Sequence, residues 1–437
     1  MKRYIFIIAA LMLAVACGEN SNGDMPWGDL GDQSGQTPNP GDQNNSGVGS
    51  PLALWSEGYL DIHFINSGRG ECAFYILPDG TTLIVDAGEL SSNSDSSETG
   101  ETNKSFVPQR PFDNVRPYIV DAKYIEHFMP NGKSAIDYCA PSHFHIDHIG
   151  CPKASVETAA AGYRKAGLIA LFDRVPYNQV LDRAYPTYTE DANTPKIEGG
   201  LAEDWAKFVK WGVQEGKFTA KRFTPGEEQI VLLNNKAAYN NFKLLNICAN
   251  GFVVSKDSSG AIKVAGEKSG EGNPASCGFH ISYGNFDYIA CGDLTSNPQN
   301  RVASYFRDFI GSGNLEAFKG HHHLNGNSWG SNMQSCKMNP KVILNQNFYK
   351  NSPDADLLKQ ILDNKFGAWV STYYLFTTNV HPDAMAGNPS LYNRICGYNG
   401  HIVLRVAPGG AQYTVYVLDD TNYNYNVKSI HGPYNSR

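Results

Sequence analysis

The chain's 437 residues are 41% hydrophobic and 12% aromatic, with 43 acidic against 36 basic residues for a formal charge of −7. That much apolar and aromatic material excludes a wholly disordered chain and supports a sizeable core. The acidic balance excludes strong general attraction to nucleic acid, while leaving room for a local metal-lined site that takes an anionic substrate.

Residues 1–16 have the features of a signal peptide. Lys2 and Arg3 precede an apolar run that closes in Ala14-Val15-Ala16-Cys17 and is too short to span a bilayer. A cysteine after small residues resembles the bacterial lipoprotein cleavage box, with Ala14 in place of the usual leucine, so Cys17 is expected to be the lipidated N-terminus. The alternative is an ordinary secretory signal with an incidental cysteine. Either way the protein is expected to be exported. The lipoprotein reading anchors it in the bacterial envelope, at the outer membrane or cell surface, with a lipid as its only membrane contact. Residues 17–51 are almost entirely Gly, Asn, Asp, Ser, Pro and Gln and are expected to form a disordered tether. The folded domain is expected over residues 52–437.

Within it, residues 60–64 read as a strand, and Asn66-Ser67-Gly68-Arg69-Gly70-Glu71 as a glycine turn. Residues 72–77 and 81–85 form a hairpin about Pro78-Asp79-Gly80. A polar loop over 91–104, a helix over 115–128 and a buried strand over 136–141 follow. Residues 152–240 read as an elaboration. It includes a helix over 201–215 whose Trp205, Phe208, Val209 and Val213 share one face, a stripe best explained by core packing. Strands are expected over 229–233 and 243–248. A near-echo of the first hairpin comes next. Cys72-Ala73-Phe74-Tyr75-Ile76 is matched by Cys277-Gly278-Phe279-His280-Ile281, and residues 83–88 loosely by 288–293, as a duplicated half-sandwich would produce. The remainder reads as a strand over 341–345, a helix over 354–362, a strand over 369–376 and a hairpin of 401–407 with 412–418. Strands alternate with helices, so the class is α/β. Cys72, Cys139, Cys248, Cys277 and Cys291 sit in apolar runs and read as buried free thiols.

The densest chemistry is Ser142-His143-Phe144-His145-Ile146-Asp147-His148-Ile149-Gly150. Imidazoles and carboxylates are the donors preferred by zinc and its first-row neighbours. His143 and His145 are two apart and project to one side of an extended backbone. Asp147 and His148 follow at once and can face a second ion where the chain turns. The competing explanation is a chance polar loop, but the chain has only 12 histidines in all, which disfavours it. A second cluster, His321-His322-His323, lies far downstream.

These features resemble the metallo-β-lactamase superfamily. His143, His145, Asp147 and His148 match its HxHxDH signature. Cys291-Gly292-Asp293 looks like the position of its bridging carboxylate, and Phe318-Lys319-Gly320-His321-His322-His323 like that of its final histidine. The runs Ile65 to Glu71, Pro78-Asp79-Gly80 and Val85-Asp86-Ala87-Gly88 are closest to the branch holding the hydrolase domains of DNA-uptake competence proteins and cell-surface phosphorylcholine esterases. The likeness covers residues 58 to about 420, without any motif in 152–240. It implies a four-layer αββα sandwich with the site at one edge between the sheets. The implied ligands are His143 and His145 for one divalent ion and Asp147, His148 and His322, with His323 next to it, for another. Asp293 would bridge the two, and Asp86 would orient a ligand histidine. Asn273 stands where the family's fuller members place a third histidine. As only a weak ligand, it would leave the first ion's site partly occupied.

The resemblance thus implies a zinc hydrolase, a phosphodiesterase in which a hydroxide bridging the ions attacks a phosphodiester or phosphocholine-type ester of the cell envelope. Asp147, His322 and His323 are its catalytic candidates, a spare histidine of the 321–323 cluster stabilising charge or protonating the leaving oxygen. A β-lactam, lactone or thioester substrate on the same fold is the nearest alternative. A non-catalytic surface lipoprotein that binds glycan or peptide is the alternative from another class. The sequence sets no oligomeric state.

Overall fold

The computed structural model describes residues 47–90, 106–112, 115–150, 156–188, 199–267, 272–295, 302, 314–326, 332, 336–363 and 373–437. The signal segment, Cys17, most of the tether and the 91–104 loop lie outside these. Among the described residues two sheets are formed. The first runs β17 (Val427–Asn435), β16 (Gln412–Leu418), β15 (His401–Val406), β1 (Leu60–Phe64), β2 (Cys72–Ile76), β3 (Thr82–Ala87), β4 (Ile136–Cys139), β5 (Tyr177–Asp182), β6 (Thr219–Arg222). The second runs β14 (Tyr374–Thr377), β13 (Val342–Asn345), β12 (Ala317–Lys319), β11 (Phe286–Ala290), β10 (Gly278–Tyr283), β7 (Phe242–Ala249), β8 (Phe252–Lys256), β9 (Ile262–Gly266).

Period-two alternation decides which side chain enters which layer. Leu60, Ile62 and Phe64 of β1 and Ala73 and Tyr75 of β2 point between the sheets, where they meet Phe279, Ile281, Tyr283 and Tyr288. Phe74, Ile76 and Ile84 point the other way. They are covered by three helices, α1 (Pro117–Phe128), α2 (Gly167–Phe172) and α3 (Gly199–Gln214), through Tyr124, Ile125, Leu168, Phe172, Trp205 and Phe208. On the far face of the second sheet, Ile289, Phe318, Ile343 and Leu375 pack on Leu357, Leu358 and Ile361 of α4 (Ala355–Leu362). Helix, sheet, sheet and helix therefore stack in four layers, the sandwich expected. The expected aromatic stripe is confirmed as core: Trp205, Phe208 and Val209 are buried.

The polar positions of β1 need partners on the outer side. Arg405 of β15 donates from Nε and Nη2 to Asp61 at 2.8 and 2.6 Å, both side chains being buried. Burial opposes the charge on Asp61, but Arg405 outweighs it and holds the carboxyl down at about 2. Asp61→Ala strands a buried guanidinium and is expected to cost about 3–5 kcal/mol. Chemical denaturation checks this, and an unchanged midpoint would contradict it.

Two sequence expectations are modified. Residues 229–233 alternate as a strand should, with Ile230 and Leu232 buried and Leu233 exposed, yet they have no sheet neighbour among the described residues. Their backbone bonds go to side chains instead, as from Leu233 N to Thr81 Oγ1 at 2.8 Å. Part of the 152–240 elaboration is integral to the first sheet, supplying β5 and β6 as parallel edge strands. The echoed hairpins occupy corresponding places: β2–β3 continues to the parallel neighbour β4, and β10–β11 to the parallel neighbour β12. The five expected thiols are buried and free, as is Cys336, whereas Cys396 is disulfide-bonded. No helix among the described residues is long and apolar enough to cross a membrane.

Candidate metal centre

The four segments that carry the chemistry leave the C-terminal ends of β3, β4, β11 and β12, two strands in each sheet, so the edge between the sheets gathers them. Backbone bonds seat the HxHxDH segment there. Cys277 N donates to Ser142 O at 2.7 Å, tying one sheet to the other, and Glu71 N donates to Asp147 O at 2.9 Å. Gly88 is required by close approach: a Cβ there would stand 1.9 Å from the Asp147 carbonyl oxygen. Asp147 and His148 then fall in the single helical turn Ile146–Ile149.

The side chains converge tightly. One ligand atom from each of Asp147, His148, Asp293 and His323 lies within 4.8 Å of all the others, and all four residues are buried. His148 Nε2 is 3.0 Å from Asp293 Oδ2, and His323 Nε2 is 3.3 Å from that oxygen and 3.1 Å from Asp147 Oδ2. Carboxylates stand behind both imidazoles. His148 Nδ1 donates to Asp86 Oδ2 at 2.8 Å, and His323 Nδ1 lies 2.9 Å from Glu71 Oε1 and 3.1 Å from the Gln346 carbonyl oxygen. Asp86 also accepts from Ser142 N and Oγ at 2.7 and 2.6 Å. Its backbone is left-handed, with φ 62°, which turns its carboxylate at the strand end toward His148.

The expected residues are thus distributed unevenly. His143 lies beside the group, its ring centroid 4.1 Å from that of His148 and 4.6 Å from that of His145, which is partly exposed. His323, rather than the favoured His322, joins the group of four. The reason is local backbone: His322, His323 and Leu324 are all left-handed (φ 48°, 54° and 56°), which turns successive side chains apart. His322 Nε2 stands 4.0 Å from Asp293 Oδ2, and its ring lies against Asn273. Neither Asn273 nor His145 belongs to the group of four.

Sequence reasoning gave no role to Glu71, Ser142, Lys319 or Gln346. Lys319 Nζ pairs with Glu71 Oε2 at 2.9 Å and lies 4.0 Å from Asp293 Oδ1. The available signal was a charged residue closing an apolar strand, in Ala317-Phe318-Lys319, and a carboxylate just before one, at Glu71.

Electrostatically, Asp86, Glu71, Asp147 and Asp293 set four buried carboxylates against the buried ammonium of Lys319. Burial pushes the His148 and His323 imidazoles down, but these carboxylates, Asp293 foremost, outweigh it and raise both well above the ordinary value. Burial pushes Asp293 up, and His148 and His323 reverse this, holding it well below the usual carboxylate range. His143 moves the opposite way, its imidazole lowered by burial. His143 Nε2 and Asp293 Oδ1 are buried with no hydrogen-bond partner among the described residues. Uncommitted donors, an imidazole–carboxylate set and excess buried negative charge all fit divalent cations.

No protein-family model matches the chain, and no curated protein matches its sequence. Likeness is found among solved structures. A mutant of the CmlA β-hydroxylase has a TM-score of 0.35 and 12% identity, over 71% of this chain and 51% of that one. A HARLDQ-motif mutant metallo-β-lactamase of Cronobacter sakazakii has 0.27 and 13%, over 62% and 76%. The hydrolase AbOPH, of the β-lactamase superfamily, has 0.25 and 9%, over 56% and 74%. The chain therefore spans about half the length of the first of these. Overlaps this small say nothing of activity or substrate.

Asp86→Ala removes the acceptor behind His148 without touching the four grouped ligand atoms. It is expected to weaken zinc affinity by about 10–100-fold, the usual cost of losing a partner that orients a ligand imidazole. Competition with a chromophoric chelator measures this, and unchanged affinity would refute an orienting role.

Proposed function

We propose that the protein is a metal-dependent hydrolase of the metallo-β-lactamase superfamily, acting on a phosphodiester or phosphocholine-type ester at the bacterial envelope to which Cys17 anchors it. The observation that carries the reading is the group Asp147, His148, Asp293 and His323, brought from three distant parts of the chain to within 4.8 Å of one another. Asp147, His148 and His323 would hold one zinc ion, and His143 and His145 would begin the site of another. Asp293 would serve both. Bound there, the ions supply a nucleophile from water at neutral pH and positive charge for the substrate oxygens. The substrate class follows the resemblance of the Asn66 to Glu71 and Asp86 to Gly88 runs.

The chain's own residues do the positioning. Asp86 accepts a hydrogen bond from His148 Nδ1–H, which leaves the Nε2 lone pair aimed at the group. The Gln346 carbonyl oxygen does the same for His323, with the Glu71 carboxylate 2.9 Å from its Nδ1. Lys319 offsets the charge of Glu71 behind that imidazole and, with burial opposing, is itself held protonated by Glu71 and Asp293. Left-handed backbone at Asp86, His322 and His323 costs of order 1–3 kcal/mol per residue, of the kind tolerated where a site dictates geometry.

The experiment is metal analysis of the purified protein, followed by a panel of phosphodiester, phosphocholine and lactam substrates, with Asp147→Ala as control. Zinc-dependent phosphodiester turnover that vanishes in Asp147→Ala is expected. Metal-free, inactive protein that still binds polysaccharide would replace the enzyme with the binding-protein reading.

A further inference from the structure

We propose that Lys319 is a resident cation of the metal centre. Its ammonium holds the empty cradle together and, by standing against the same carboxylates, limits how tightly a divalent ion is bound. This rests on the metallohydrolase reading above and adds to it a control on metal affinity.

The place of the ammonium is built from both sheets. Lys319 ends β12, and its side chain is buried. An ammonium carries three N–H donors. Three acceptors lie within reach: Glu71 Oε2 at 2.9 Å, and the carbonyl oxygens of Gly292 and Gly320, each at 3.3 Å. Asp293 Oδ1 follows at 4.0 Å. Each acceptor belongs to a segment that positions part of the group of four. Gly292 immediately precedes Asp293, and its left-handed backbone (φ 51°) turns the chain out of β11. A Cβ at 292 would stand 2.7 Å from Ser142 Cβ, so glycine is required there. Gly320 precedes the turn that carries His323. Glu71 Oε1 lies 2.9 Å from His323 Nδ1, and Glu71 N donates to the Asp147 carbonyl oxygen. One ammonium is thus bonded to the supports of Asp147, Asp293 and His323. Lys319 is a positioning residue, and it is also a charge. Glu71, Asp86, Asp147 and Asp293 are buried about the same centre and repel one another, which a fixed positive charge among them relieves. The same charge repels an arriving divalent ion. A side chain that only held shape would strengthen metal binding, whereas a resident cation weakens it, so the sign of the effect separates the two roles.

The test is zinc affinity, measured on the full chain by competition with a chromophoric chelator, with melting of the metal-free and zinc-loaded protein alongside. Lys319→Met is close in shape and carries no charge. It is expected to bind zinc about tenfold or more tightly than wild type, as removal of a like charge from a buried site should give. Its metal-free form should melt lower than wild type and gain more from zinc. Lys319→Met by itself leaves the Glu71 carboxylate without its ammonium and can fail to fold. The same step is therefore also read with Glu71→Gln already in place, where that carboxylate is gone. Adding Lys319→Met to Glu71→Gln should again tighten zinc by about tenfold. If Lys319→Met alone does not fold, the Glu71→Gln background decides. Equal or weaker zinc binding on adding Lys319→Met, in a folded protein of either background, overturns the proposal and leaves the hydrolase reading intact. Wild type that takes up no zinc removes both.

Discussion

Asp293→Ala is expected to strip the centre of divalent ions and lower phosphodiester turnover by about a thousandfold or more. Its Oδ2 lies 3.0, 3.3 and 4.0 Å from the Nε2 atoms of His148, His323 and His322, so one oxygen is the common neighbour of all three imidazoles. Its Oδ1 is buried without a hydrogen-bond partner among the described residues. Among the described residues no other carboxylate occupies that position: Asp147 approaches from its own helical turn, and Asp86 and Glu71 stand behind the imidazoles. Charge stabilisation by bound ions is worth several kcal/mol, and each 1.4 kcal/mol is a factor of ten, which sets the magnitude. Circular dichroism and melting would show whether the fold survives. A folded Asp293→Ala protein with full zinc content and turnover would defeat the metallohydrolase reading.

Zinc affinity is expected to rise with pH by about a hundredfold per unit near neutrality. In the metal-free protein burial lowers the His148 and His323 imidazoles, but the surrounding carboxylates prevail and raise both well above 6.5. Both groups therefore gain charge on folding. The stability they contribute is fully present below their unfolded value of about 6.5 and is lost as pH climbs through the raised folded values. Ligation needs neutral imidazoles, so each binding event displaces these protons. Two protons released give two decades of affinity per pH unit while both groups remain protonated. Stabilisation by zinc should therefore grow with pH as the metal-free protein weakens. Calorimetry in buffers of different ionisation enthalpy counts the protons directly. Affinity that stays flat from about pH 6 to 8 would mean these imidazoles do not become ligands.

Sequence legibility followed locality. Strands β1, β2, β3, β10 and β11 and helix α1 were readable because alternation and apolar periodicity report which face is buried. The 229–233 run alternates equally well but has no neighbour among the described residues with which to exchange ladder bonds, a fact held outside the run. The C-terminal strand β17 was missed for the converse reason: it is mostly exposed and polar, and exists because β16 offers it an edge. Asp86 was legible as a partner of a ligand histidine only through its motif, while Glu71 carried no such mark although it stands in the matching place behind His323.

The amino-acid sequence by itself determined the donor chemistry, because HxHxDH concentrates imidazole and carboxylate within six positions, and it determined the layered α/β class through its periodicities. Only the tertiary structure decided which member of the second histidine cluster joins Asp147, His148 and Asp293. Spacing along a chain cannot separate adjacent residues, whereas three left-handed backbone angles can, and those angles are held by the two sheets meeting at one edge. The countercharges Glu71 and Lys319 were likewise decided by packing, since only burial side by side turns two ordinary ionic residues into the support behind an imidazole.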